Sequence, residues 1–126
     1  MPGSGNLAGV AIVDDEAGLI RAYELLFKRR NIPIMFISQT GEEAVEKFRR
    51  ASPRPKVILI DYRLPMMDGI AAMNEILSIE PDTRVIMISG DFSVQQECLD
   101  AGADVFFQKP TGIREITDTV NHLLKS

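Results

Sequence analysis

The sequence predicts an α/β fold in which a five-stranded parallel sheet is covered by helices on both faces. Runs of β character alternate with amphipathic helical stretches from Gly9 to the end of the chain, which is the order that a parallel sheet with crossover helices requires. The predicted strands are almost continuously apolar, as expected for strands buried on both sides. A chain of 126 residues is long enough for one domain with a single core.

Five short apolar runs supply the strands, and each is bounded by polar or turn residues. In chain order they are Val10–Val13, Ile34–Ser38, Val57–Ile60, Val85–Ile88 and Asp104–Gln108. The first helix covers about 17–30, where apolar residues recur at the spacing of one helix face. Asn31 and Pro33 end this helix, because Asn tolerates a left-handed cap and proline cannot continue a helix.

The remaining helices are marked by residues that cap helix ends. Thr40-Gly41-Glu42-Glu43 is a capping box and predicts the start of the second helix. Asp68 caps the third helix. Ser93-Val94-Gln95-Gln96 has the pattern of another capping box and predicts a short fourth helix that Gly102 terminates. The fifth helix covers about 112–125.

Composition excludes several classes of function. The net charge is -4 and there is no dense basic cluster, so direct nucleic-acid binding by this chain is not expected. The single cysteine, Cys98, excludes an internal disulfide and a cysteine-based zinc site. No apolar run approaches the roughly 18 residues of a membrane span, and the start has no secretory signal. We therefore expect a cytoplasmic protein with a flexible tail at 1–8 and one domain at 9–126.

Four of the predicted strands lead into polar residues suited to handling a phosphoryl group. Asp14 and Asp15 follow the first strand, Asp61 the third, Ser89 the fourth and Lys109 the fifth. The carboxyl ends of parallel strands meet at one edge of the sheet, where open α/β folds bind their ligands. Carboxylates are hard oxygen ligands, and an ammonium group can pair with a carboxylate or a phosphoryl oxygen. The sequence therefore predicts a divalent cation beside a reactive aspartate.

These residues, with several others, give the chain a resemblance to the receiver domains of response regulators in two-component signal transduction. The matching residues are Asp14-Asp15, Asp61, Leu64-Pro65, Asp68-Gly69, Ser89-Gly90, Gly102-Ala103, Phe106 and Lys109-Pro110. The resemblance covers nearly the whole chain. It implies a flavodoxin-like, doubly wound sheet with strand order 2-1-3-4-5 and three α/β/α layers, and a Lys109-Pro110 peptide bond that is often cis in the family.

The resemblance implies that Asp61 accepts a phosphoryl group from a phosphohistidine on a histidine kinase or phosphotransfer protein. Lys109 and Ser89 would contact the phosphoryl oxygens. Magnesium, with manganese as an alternative, would be held by Asp14, Asp15, Asp61 and the backbone carbonyl of Arg63. No turnover is implied beyond this self-catalysed acceptance and a slow autodephosphorylation.

The resemblance further implies that Ser89 and Phe106 are switch residues. Phosphorylation would change the surface around the fourth helix, fifth strand and fifth helix, which would engage a downstream protein or an attached output domain. A phosphorylation-dependent homodimer is compatible with this, and no membrane partner is implied. The interval from Ser89 to Lys109 is about two residues shorter than is usual in the family, so we expect a shortened or displaced fourth helix.

Two other hypotheses remain open at this point. The first is a receiver-like adaptor that works without phosphate. The second is an aspartate-nucleophile phosphatase, although such enzymes usually carry Asp-x-Asp and here Asp61 is followed by Tyr62 and Arg63. Simpler roles compete for single residues: Asp14 or Asp15 as a helix cap, Ser89 as a turn residue, Phe106 as a core residue. Met66, Met67 and Cys98 are interpreted as packing residues.

Overall fold

Five parallel strands form the centre of the molecule. We describe residues 9–126 of a computed structural model. The strands are β1 (Val10–Val13), β2 (Ile34–Ser38), β3 (Val57–Asp61), β4 (Arg84–Ser89) and β5 (Val105–Gln108). Their order in the sheet is β2-β1-β3-β4-β5, and all neighbouring strands are parallel. The predicted order is confirmed; the tail expected at 1–8 lies outside the described residues.

Helices cover both faces of this sheet. They are α1 (Ala17–Arg29), α2 (Gly41–Arg50), α3 (Gly69–Ile79), α4 (Gln95–Ala101) and α5 (Ile113–Leu124). One buried cluster joins α2, α3 and α4 to one set of alternating strand residues, and a second joins α1 and α5 to the other set. Because successive strand side chains point to opposite faces, apolar strands supply both cores. The three-layer prediction is confirmed.

Most of the predicted caps form. The Thr40 hydroxyl accepts a hydrogen bond from the backbone N–H of Glu43 (3.1 Å), and the Asp68 carboxylate accepts one from the N–H of Ala71 (2.9 Å). Asn31 has a left-handed φ of 57° just after α1, and Gly102 has a φ of 125° at the end of α4. Local sequence signals therefore set these helix ends, as predicted.

The prediction of a second capping box, at Ser93-Val94-Gln95-Gln96, is wrong. Ser93 does not cap α4; instead the Asp91 carboxylate accepts from the Ser93 N–H (2.9 Å) and from the Ser93 hydroxyl (2.6 Å). Asp91 thereby caps a one-turn 3-10 helix, Phe92–Val94, which leads directly into α4. An ionised carboxylate two residues earlier is the stronger acceptor, so the serine hydroxyl is used as a donor. As expected, α4 is short, with 7 residues.

The interpretation of Met66 as a packing residue is also wrong. Its side chain is 92% exposed, and its backbone has a φ of 70° in the loop between β3 and α3. Met67 and Cys98 do pack against or within the cluster under α2, α3 and α4. Among residues 9–126, no helix has the length and apolar character needed to span a membrane.

Candidate functional site

Asp14, Asp15 and Asp61 meet at the carboxyl edge of the sheet. Val13 is paired with Ile60 in the parallel register of β1 and β3, so Asp14 and Asp61 leave the two strands side by side. One carboxylate oxygen from each of the three aspartates lies within 4.8 Å of the others. Asp14 and Asp61 are buried, whereas Asp15 is exposed.

The loop after β3 is folded closely around Asp61. The N–H of Tyr62 donates to the carbonyl of Ile88 on β4 (2.8 Å), and the N–H of Gly69 donates to the carbonyl of Tyr62 (2.8 Å). A Cβ atom at position 69 would lie only 2.8 Å from the carbonyl oxygen of Asp61. Glycine at this position therefore lets the start of α3 approach the end of β3, which fixes the backbone of Asp61.

Lys109 brings a positive charge to the carboxylates. Its Nζ donates to Asp61 Oδ2 (3.3 Å) and lies 3.9 Å from Asp14 Oδ2 and 3.8 Å from Glu16 Oε1. The backbone N–H of Lys109 donates to the carbonyl of Ser89 (2.8 Å), which fixes the end of β5 beside β4. The peptide bond between Lys109 and Pro110 is cis, as the resemblance implied.

The cluster carries more negative charge than Lys109 compensates. Burial, with a smaller contribution from the Asp61 charge, raises the pKa of Asp14 from 3.8 to about 6, although the N–H of Glu16 donates to its carboxylate. Burial also raises the pKa of Asp61, against the opposing effect of Lys109. Burial works to lower the pKa of Lys109, but the Asp61 and Asp14 carboxylates outweigh it and the pKa is raised.

This donor set fits a hard divalent cation. All three acidic ligands are carboxylate oxygens, close enough together to share one ion, and Mg²⁺ is bound in proteins by one or two carboxylates together with water and phosphate oxygens. One ammonium group, that of Lys109, faces these carboxylates and Glu16, so an added positive charge would be favourable here. The role of the Arg63 carbonyl as a further ligand stays a prediction.

A family model decides which class of protein this geometry belongs to. The model of the response regulator receiver domain matches residues 10–121. The chain belongs to this family. It is 31% identical over 117 residues to the chemotaxis protein CheY of Bacillus subtilis, covering 91% of this chain and 96% of CheY.

Solved structures of receiver domains share the fold. A complex of CheX, CheY, BeF3 and Mg²⁺ from Borrelia burgdorferi is similar, with a TM-score of 0.83, 30% identity and coverage of 92% and 88% of the two chains. The receiver domain of a Pseudomonas aeruginosa sensor histidine kinase, with magnesium in its active-site cleft, has a TM-score of 0.81 and 25% identity, covering 94% and 100%. Receiver domains bind Mg²⁺ at an acidic pocket of the kind found here.

The predicted switch residues of this receiver domain lie on β4 and β5. Ser89 is fully buried, and its hydroxyl accepts from the backbone N–H of Asp91 (3.0 Å). Phe106 is half-buried, and its ring meets the ring of Phe92 edge-on, with 6.5 Å between centroids. Phe92 is 58% exposed. The structure places both residues next to the loop that leads into α4, and their switching roles stay predictions.

Three further residues lie around the receiver site and were not predicted to be part of it. Glu16 lies near Lys109, and Asp91 pairs with Arg63 (3.9 Å between Oδ2 and Nη2). Tyr23 is 1% exposed, and its hydroxyl has no hydrogen-bond partner among residues 9–126. The Ser-Gly-Asp sequence after β4 was a usable signal for Asp91, because Asp after a strand often bonds the backbone of the next turn. No sequence signal indicated the contact of Glu16 with Lys109 or the unpaired hydroxyl of Tyr23.

Proposed function

We propose that this receiver domain accepts a phosphoryl group on Asp61 from a histidine kinase or phosphotransfer protein, with Mg²⁺, and so changes the surface it offers to an output partner. One observation carries the proposal: the buried Asp61 carboxylate contacts Lys109 and lies within 4.8 Å of ligand oxygens from Asp14 and Asp15. A carboxylate placed between a fixed ammonium and a metal-binding pair suits phosphoryl transfer, where positioning and charge neutralisation dominate.

The transfer step follows from the chemistry of a carboxylate and a phosphohistidine. An Asp61 carboxylate oxygen attacks phosphorus, an O–P bond forms, the P–N bond breaks, and the electron pair passes to the imidazole nitrogen. No general base is needed, because the nucleophile is an anion that carries no proton to remove. Lys109 holds one charge of the product through its Nζ, and Ser89 would donate its hydroxyl to a phosphoryl oxygen.

The metal-binding side chains would be Asp14, Asp15 and Asp61, with the Arg63 carbonyl as a further oxygen. A bound Mg²⁺ would supply neutralisation of the charge on the transferred group. In the resting protein Lys109 faces the carboxylates of Asp14, Asp61 and Glu16, so the site carries an excess of negative charge. This excess supports a site that binds a divalent cation, whose charge would also offset that of the incoming phosphoryl group.

The partners are proposed at the level of class. The similar Borrelia structure contains CheX with CheY, so a downstream protein that contacts the phosphorylated receiver is one output; an attached output domain is the other. A homodimer formed on phosphorylation is a third arrangement compatible with the fold. Hydrolysis of the aspartyl phosphate would be a slow, self-catalysed reaction and not turnover on an external substrate.

Intact-protein mass spectrometry after incubation with acetyl phosphate and Mg²⁺ tests the proposal. We expect one added phosphoryl group, which is lost in Asp61→Asn and when EDTA replaces Mg²⁺. Asp100→Asn is the matched control, since Asp100 is an exposed aspartate on α4 whose carboxylate bonds Gln96. An adaptor that works without phosphate would show no added mass with any donor and no response to beryllofluoride with Mg²⁺.

A further inference from the structure

Asp91 contacts three parts of the molecule that lie between the Asp61 site and α4. Its backbone N–H donates to the hydroxyl of Ser89 (3.0 Å), and its Oδ2 lies 3.9 Å from the guanidinium of Arg63. Its other carboxylate oxygen accepts both the N–H and the hydroxyl of Ser93. One residue therefore joins the β3–α3 loop, the end of β4 and the 3-10 turn before α4.

The 3-10 turn held by Asp91 carries Phe92. The turn is only three residues long, Phe92–Val94, and besides the two bonds from Ser93 it is closed by the Val94 N–H donating to the Asp91 carbonyl (3.3 Å). Short 3-10 segments have poor hydrogen-bond geometry and depend on their caps. The Phe92 ring lies edge-on to Phe106, so the position of the turn determines what covers the Phe106 ring.

We propose that Asp91 is a positioning residue that couples the phosphoryl group on Asp61 to the Phe92–Phe106 pair; this inference rests on the proposed function. The two groups near Asp61 that would be drawn to a phosphoryl dianion are the Ser89 hydroxyl and the Arg63 guanidinium. Both are held by Asp91 in the unphosphorylated protein. When they turn toward the phosphoryl oxygens, Asp91 loses two restraints and moves with the turn that it caps.

The magnitudes favour this exchange. The Arg63–Asp91 pair has a long separation of 3.9 Å and an Arg63 side chain that is 74% exposed, so it resembles the exposed ion pairs that contribute little to stability. Hydrogen bonds from arginine to a phosphoryl group are roughly twice as strong as neutral ones. The Ser93 bonds are shorter and stay with Asp91, so the carboxylate and the turn move as one unit.

The experiment measures the phosphorylated fraction and the environment of the ring at position 106 separately. 4-Fluorophenylalanine is placed at position 106, and each sample is treated with acetyl phosphate and Mg²⁺. Intact mass gives the phosphorylated fraction, and ¹⁹F NMR gives the environment of the ring. In the otherwise unchanged protein we expect the fluorine resonance to shift in proportion to the phosphorylated fraction.

We expect Asp91→Ala to be phosphorylated while its fluorine shift falls to less than half of the reference shift. Asp91→Asn keeps an acceptor oxygen for Ser93 and should recover most of the shift. Asp100→Ala, the matched control on α4, should behave like the reference. If Asp91→Ala does not fold, Ser93→Ala, which removes only the 2.6 Å bond, should reduce the shift to an intermediate value.

Three results would overturn the inference. The first is a full fluorine shift in phosphorylated Asp91→Ala or, where that variant does not fold, in Ser93→Ala; the second is an equal loss in Asp100→Ala; the third is no shift in the phosphorylated reference. Absence of phosphorylation in the reference itself would show by mass that the proposed function fails, and the inference would fail with it.

Discussion

The two ends of the central sheet carry similar charged residues and use them in opposite ways. At the carboxyl end, Lys109 faces several carboxylates, and the pKa values of Asp14 and Asp61 are raised by burial. At the amino end, Arg84 pairs with Asp104 (3.3 Å), whose other oxygen accepts the N–H of Val85 (2.7 Å). There each of these charges has a partner within the chain.

Lys56 extends the contrast. Its Nζ donates to the carbonyls of Leu124 (3.1 Å) and Ser126 (2.9 Å), so this lysine ties the end of α5 to the start of β3. Its counterpart Lys109 instead contacts carboxylates whose combined charge exceeds its own. Uncompensated charge therefore marks the edge where ligands supply the missing partners, while compensated charge marks the edge that holds the fold together.

Replacing the two lysines separately should show the difference between the two edges most clearly. Lys109→Ala should slow phosphorylation by acetyl phosphate about a hundredfold, because a fixed donor aimed at the developing charge is lost. Lys56→Ala should leave the rate within about twofold and lower the free energy of unfolding by about 1 kcal/mol. Rates come from the time course of intact mass at saturating Mg²⁺. Equal rates for the two variants would refute the division between the two edges.

The sequence predicted the fold because its strongest patterns are local and agree with one another. Apolar runs of strand length alternate with amphipathic helices, and Thr40, Asp68 and Gly102 mark helix ends that form as predicted. Parallel topology places Asp14 and Asp61 at the same edge of the sheet, and the strand order implied by the resemblance makes their strands neighbours. Local pattern was sufficient for the helix ends and for the common edge, whereas the resemblance supplied the order of the strands.

What the sequence did not predict depends on side-chain direction and on competition between neighbours. Ser93 and Asp91 both suit a cap, and only the folded loop shows that the carboxylate is the acceptor. Met66 was predicted to pack because it is apolar, but its backbone is left-handed and its side chain is exposed to solvent. The contact of Arg63 with Asp91 joins two loops, so no spacing along the chain could have indicated it.

Replacing Asp104 should give the next largest effect, and this effect should be confined to the free energy of unfolding. Asp104→Ala should lower the free energy of unfolding by about 2 kcal/mol, because it removes a charged acceptor from the Val85 N–H and the partner of Arg84. Asp15→Ala removes an exposed carboxylate from the crowded edge and should not lower it. Urea unfolding in EDTA measures both. The phosphorylation rate of Asp104→Ala should match that of the unchanged protein, and a large loss of rate would mean that the two edges are not independent.

The smallest effect is a pH dependence confined to the carboxyl edge. In the folded, metal-free protein the pKa of Asp14 is about 6, above its ordinary value of 3.8, so the folded state binds more protons than the unfolded chain between these values. Asp14 therefore contributes stability that is present at low pH and is lost as pH rises through about 6.

Lowering the pH from about 7 to about 5 in EDTA should therefore raise the free energy of unfolding by about 1 kcal/mol. The raised pKa of Asp61 acts in the same direction. Asp14→Asn should remove most of this gain, whereas Asp104→Asn, at the other edge, should keep it despite a lower overall stability. Urea midpoints at the two pH values give the measurement. An unchanged gain in Asp14→Asn would mean that the pH dependence comes from another group, and not from the cost of burying the ionised Asp14 carboxylate.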